Sequence, residues 1–92
     1  MSDTLNKKFK ALADKNRLKI LLYLKQGSKP AGEIAKQFSV SASTISYHLS
    51  ILENSGLIFS CKSKGYIYYA IKLEEFFEII KSNIPLLCEI II

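Results

Sequence analysis

Between Ser39 and Gly56 the chain carries Ser43, Thr44, Ser46, Tyr47 and His48, five side chains with short hydrogen-bonding groups and no formal charge with His neutral. Counted at about 100° per residue, Ser43, Ser46, Tyr47, Ser50 and Asn54 share one side of a helix, with Thr44 on its flank. Hydroxyl, phenol and imidazole groups can donate as well as accept hydrogen bonds. That versatility suits the edges of base pairs in a DNA groove, where donors and acceptors are interleaved. Ser43, Thr44, Ser46 and Tyr47 are therefore candidate base-reading residues. Ser41 or Ser43 would cap the helix. Free amides at a helix start favour an anion, which makes Ser41 a candidate phosphate contact.

Catalytic chemistry fits these residues less well. Serine, histidine and cysteine all occur, but no carboxylate is spaced to orient His48. No nucleophile elbow, phosphate loop or metal motif is present, so an enzyme is not expected. The single histidine cannot hold a metal alone, and Cys61 and Cys88 lie far apart with no Cys-x-x-Cys or Cys-x-Cys pair. No metal and no cofactor are expected. Two unpaired cysteines and no signal-peptide pattern fit a reduced, cytoplasmic protein. No apolar run reaches the roughly 18 residues of a membrane span.

A face that reads needs a face that anchors. Ile45, Leu49 and Leu52 recur at i, i+4 and i+7 and form an apolar stripe opposite the polar one. Upstream, Ser2 or Asp3 can cap a first helix bearing Leu5, Phe9 and Leu12 on one side, with Lys7, Lys8 and Lys10 as solvated charges on the others. Asp14 can cap a second helix over 15–25. Its Leu18, Ile20, Leu21, Leu22 and Leu24 spread widely, which predicts the most buried helix, stopped by Gly27. Ser28-Lys29-Pro30 reads as a connection, with Pro30 in the first turn of a short third helix over 31–38 that turns Ile34, Ala35 and Phe38 inward. Ser39-Val40-Ser41 then joins two short helices, the outline of a helix-turn-helix over about 30–55.

After Gly56 the period changes from 3.6 to 2. Residues 57–62 and 66–71 read as strands joined by Ser63-Lys64-Gly65, a wing over about 57–71. The terminal stretch, about 73–92, returns to a helical pattern that Pro85 should break near Asn83. It carries more apolar side chains than a small core can absorb, which points to a second copy of the chain. The expected fold is one domain over 1–92, mainly α with a small β-hairpin (α+β), a winged helix-turn-helix in the order α-α-α-α-β-β-α.

Charge follows the same division. The net charge is +5, but residues 1–38 hold nine Lys/Arg against three Asp/Glu, whereas residues 73–92 hold one against four. A basic body facing a polyanion and a tail with another task would show this split. Lys15, Arg17, Lys29, Lys62 and Lys64 are the candidate phosphate contacts. Lys15 and Arg17 stand in the first turn of their helix, where its dipole disfavours cations. An external anion or a nearby carboxylate would account for them equally.

Several of these motifs, in this order, resemble the ArsR-type family of bacterial repressors. The resemblance covers about 6–77 and rests on F-K-A-L-A-D-K-N-R-L-K-I-L (Phe9 to Leu21), G-E-I-A (Gly32 to Ala35), S-x-S-T-I-S-Y-H-L-x-x-L (Ser41 to Leu52), G-L-I (Gly56 to Ile58) and K-G-x-x-x-Y (Lys64 to Tyr69). It implies a homodimer whose terminal helices form the interface, which assigns Leu5, Phe9, Phe76, Ile80, Ile84 and Leu87 to that contact. It also implies that the serine-rich helices enter successive major grooves of double-stranded DNA, with the wings along the backbone. By position the resemblance implies that Ser43, Thr44, Ser46 and Tyr47 read bases, with His48 following them as a further base-reading residue. Family members often have His where this chain has Tyr47. The family's thiolate metal site uses Cys-x-Cys at the start of the third helix, where this chain has Pro30 and Gly32. A second site type uses His with carboxylates on the last helix, where this chain has Glu74, Glu75 and Glu78 but no His. The resemblance is thus to the non-metal-sensing, autorepressor-like subgroup. Two other readings of the same residues are a winged-helix module that binds protein, and a sensor with another inducer or a thiol switch at Cys61 or Cys88.

Overall fold

The computed structural model describes residues 3–72, with side chains from residue 6 onward. The elements run α1 (Asp3–Leu12), α2 (Lys15–Leu24), β1 (Lys29–Pro30), α3 (Ala31–Gln37), α4 (Ala42–Asn54), β2 (Ile58–Ser63) and β3 (Tyr66–Ile71). This is the expected α+β winged helix-turn-helix, with one strand more than the sequence predicts. Lys29 and Pro30 do not merely connect two helices. They pair antiparallel with Tyr69 and Tyr68 and make a three-stranded sheet of order β1-β3-β2. Proline is tolerated there because β1 is an edge strand. The terminal helix over 73–92, its break at Pro85, Cys88, and the interface residues Phe76, Ile80, Ile84 and Leu87 lie outside the described residues, as does the side chain of Leu5.

The core forms where the apolar stripes converge. Ala11 and Leu12 of α1, Ile20, Leu21 and Leu24 of α2, Ile34 of α3 and Ile45, Leu49 and Leu52 of α4 close on Leu57 and Ile58 at the start of the wing. Phe9 is half-buried against this cluster. Two burial expectations change. Leu22 is 39% exposed, and α2 buries three residues where α4 buries four, so the serine-rich helix is the better anchored of the two. Lys8, expected in solvent, is only 3% exposed. Its ammonium approaches Gly56, close enough that a Cβ there would lie 3.5 Å from Nζ, beside the C-terminus of α4 where a cation is favoured.

Turn chemistry sets how the wing leaves the helix. Gly56 has φ +83°, while its N–H reaches Glu53 O at 3.0 Å and the N–H of Leu57 reaches Leu52 O at 3.2 Å. These two bonds are a Schellman stop, which satisfies carbonyls left over at the helix end. The hairpin loop is shorter than expected. Ser63 pairs with Tyr66, so only Lys64 and Gly65 turn the chain, at φ 51° and 83°. Positive φ at both central residues is the type I′ pattern that matches the twist of a hairpin.

Candidate nucleic-acid interface

The hydroxyl face survives folding largely intact. Ser41 is the N-cap of α4, and its Oγ accepts from the N–H of Thr44 at 3.1 Å. The same oxygen lies 2.8 Å from Thr44 Oγ1 and 3.4 Å from Ser43 Oγ. Ser41 thus builds the helix start, and it ties down Thr44, which is half-buried. Ser43, Ser46, Tyr47 and Ser50 stand exposed along the outer side, Tyr47 at 62%. Ile45, Leu49 and Leu52, on the opposite side, are in the core. The resulting helix holds its register through apolar contacts and offers uncharged donors and acceptors to solvent.

His48 is the correction among the base-reading candidates. It is 5% exposed and points inward, its Nδ1 3.2 Å from Arg17 Nη1 and 4.0 Å from Asp14 Oδ1. A side chain buried under the helix cannot touch a base edge on its outer side. A signal existed in the sequence: His48 is three residues after Ile45 and one before Leu49, so it completes the apolar stripe rather than the polar one. Sequence reasoning missed its contact with Arg17, because the two residues lie 31 positions apart.

Arg17, a candidate phosphate contact, turns toward α1. Its Nε donates to Ala11 O at 2.7 Å, Nη2 to Lys10 O at 3.3 Å, and Nη1 faces His48. The last carbonyls of α1 lack helical partners and sit at the negative end of its dipole, which is where a guanidinium is favoured. The carboxylate that excuses a cation in the first turn of α2 is the helix's own cap. Asp14 Oδ1 accepts from the N–H groups of Asn16 at 2.8 Å and Arg17 at 3.2 Å. Partial burial pulls the Asp14 pKa up, but the Arg17 N–H, the Arg17 charge and the Asn16 N–H outweigh it and hold the group below its ordinary 3.8.

The other cations divide. Lys15 is exposed in the first turn of α2, and Lys62 and Lys64 are exposed on the wing, Lys64 at the tip of the turn. Lys29 is half-buried with Nζ 5.3 Å from the centre of the Tyr23 ring, held against α2 by cation–π attraction. The wing is braced to α4 at its base, where Ser60 Oγ donates to Glu53 Oε2 at 2.7 Å, a contact with no signature in spacing. Cys61 is a free, exposed thiol on the sheet face that Phe59 and Tyr68 share. Among the described residues, no three His, Cys, Asp or Glu side chains gather as a metal site.

Comparison with known proteins agrees with this geometry. Residues 14–60, which span α2, the helix-turn-helix and the start of the wing, match the family described as bacterial regulatory protein, arsR family. The chain is 42% identical over 67 residues to the transcriptional repressor SdpR of Bacillus subtilis (strain 168), covering 73% of this chain and 74% of that one. It is 41% identical over 69 residues to the arsenical resistance operon repressor of the same organism, covering 74% and 66%. The solution structure of a homodimeric winged helix-turn-helix DNA-binding domain from Mycobacterium bovis, a possible ArsR-family regulator, superposes with a TM-score of 0.73 at 28% identity, covering 88% of this chain and 81% of that one. The chain therefore belongs to the ArsR family of bacterial regulatory proteins and is a transcriptional regulator with a winged helix-turn-helix DNA-binding domain, not an enzyme.

Proposed function

We propose that the chain is a dimeric repressor that reads an inverted-repeat operator through the outer face of α4. The observation that carries this is the split character of that helix: four residues buried beneath it, an uncharged hydroxyl and phenol face above it, and Lys62 and Lys64 exposed on the wing behind it. Ser43, Ser46 and Tyr47 supply the base contacts, with Thr44 secondary because Ser41 holds it. Lys15, Lys62 and Lys64 supply phosphate contacts, which orient the protein without specifying sequence. The homodimeric relative supports two-fold symmetry, which would place half-sites about one helical turn apart. Leu5 and Phe9 with Phe76, Ile80, Ile84 and Leu87 are the proposed interface.

Release without a metal switch is part of this reading. It is supported by Pro30 and Gly32 at the positions of the family's cysteine pair, Pro30 being occupied in strand pairing with Tyr68. The protein acts in the cytoplasm. The test is a binding titration on the promoter of its own gene against random duplex, over a range of salt. If three lysines per protomer each neutralise one phosphate, log K against log salt falls with a slope of about −5, from roughly −0.9 per phosphate. A flat response, or equal affinity for both duplexes, removes the proposal. Zn(II) in the same titration should leave binding unchanged.

The outer face of the wing favours a second contact surface. Phe59, Cys61, Ser63, Tyr68 and Ala70 alternate onto one side of the sheet and, with Ser28, line a shallow groove of about 400 Å³. Such a face suits a protein partner, and loss of pull-down on Phe59→Ser with DNA binding intact would identify it.

A further inference from the structure

Resting on the reading of α4 as the DNA-reading helix, we propose that Arg17 and His48 are positioning residues that set how that helix presents Tyr47 and its neighbouring serines. Three elements meet at the Arg17 guanidinium. Its Nε and Nη2 hold the C-terminal carbonyls of α1, at 2.7 Å from Ala11 and 3.3 Å from Lys10. Its own backbone N–H is capped by Asp14 at the start of α2. Its Nη1 reaches His48 on α4 at 3.2 Å. A guanidinium has no acceptor, so Nδ1 of His48 must accept, which leaves the ring proton on Nε2.

The fork therefore fixes a position along α4 that lies three residues past Ile45. Apolar contacts resist separation of the helices but are non-directional. A directional bond from a rigid planar donor sets rotation as well. The effect reaches the reading face directly, because the Tyr47 ring lies against His48 with centroids 5.5 Å apart and planes tilted by 58°. Tyr47 leans on an imidazole that Arg17 holds.

A phosphate anchor and a positioning group behave differently when changed. The probe is a duplex enriched from a random library by the wild-type protein, compared with a random duplex of equal length. For Arg17→Met, positioning predicts that the ratio of specific to non-specific affinity falls about tenfold, the size of roughly one lost base contact, while the salt slope stays the same. Arg17→Lys, which keeps the charge and loses the fork, should fall equally. His48→Leu should do likewise, and His48→Asn, whose side-chain oxygen can stand where Nδ1 accepts, should restore most of the ratio.

An anchoring role predicts the reverse. Arg17→Lys would behave as wild type, and Arg17→Met would weaken both duplexes alike and reduce the slope of a dimer by about 1.8. That result overturns the proposal while leaving α4 as the reader. Loss of fold lowers both affinities together in every variant, Arg17→Lys and His48→Asn included, and that pattern also overturns it. A wild-type protein that enriches no duplex overturns the underlying reading instead.

Discussion

The two parts of the molecule proposed to meet DNA, α4 and the wing, are built on opposite principles. The reading helix is held from below and at its start: Ile45, Leu49 and Leu52 lie in the core, His48 meets Arg17, and Ser41 closes the first turn. The distal wing has none of this. From Cys61 to Ile67 every residue is exposed, and the turn places Lys64 at φ 51°. Base edges are recognised by hydrogen bonds that fail when displaced, so the reader has to be rigid. Phosphate attraction falls off slowly with distance, so a lysine on an exposed hairpin serves as well as a fixed one.

This contrast is broken most severely from beneath the helix. Leu49→Ala removes a side chain that is 2% exposed, and it should cost about 2–5 kcal/mol of stability in urea unfolding, through lost transfer energy and the cavity left behind. Tyr47→Ala, two residues away but outward, should change stability by no more than about 0.5 kcal/mol. Its effect belongs to DNA, where about 1–3 kcal/mol of discrimination is expected to disappear with weak non-specific binding retained. If both substitutions reduce stability equally, or if Tyr47→Ala weakens all sequences alike, the two faces do not divide the work.

A smaller change sharpens the wing side. Lysine at positive φ is strained by its Cβ, and Asn tolerates that conformation better, particularly before the Gly65 that completes the turn. Lys64→Asn should therefore stabilise the fold by about 0.5 kcal/mol. It should also reduce the salt slope of a dimer by about 1.8, from roughly 0.9 per phosphate on each protomer. Stability and affinity would move in opposite directions at one residue. A variant that leaves the slope unaltered would show that Lys64 is no phosphate contact and is kept for another reason.

How far each region was legible follows from the kind of signal it carries. The apolar stripe of α4 and the strands of the hairpin declare themselves by period, because several side chains repeat the same message. A two-residue strand has no period, and β1 is defined by pairing with residues nearly forty positions away. Arg17 looks like any surface cation because two of its partners are backbone carbonyls, which every residue possesses. Lys8 was hidden for a related reason: its burial depends on the turn at Gly56, far along the chain. His48 differs from these. Its position in the stripe was readable, but its place directly after Tyr47 in the family's motif argued for the reading face, and the stripe was the better guide.

Asp14, Arg17 and His48, which form a clamp joining α2 to α1 and α4, give the anchored side a response to acid that the wing tip lacks. Between Cys61 and Ile67 the wing tip carries no carboxylate, whereas the start of α2 carries Asp14. Its folded pKa lies below 3.8, so its contribution is fully present above the unfolded value and is lost as pH falls through the folded one. Protonation removes charge from the oxygen that accepts two N–H bonds at the start of α2, and with it the attraction between that charge and Arg17. Asn caps a helix about as well as Asp but does not titrate. Asp14→Asn should thus match the wild type closely near pH 7 and lose less stability as pH falls below about 4, because one proton-linked term is missing. Urea midpoints across that range decide it. Parallel acid limbs in the two proteins would mean that the cap is neutral in its effect and that the clamp holds through Arg17 and the α1 carbonyls alone.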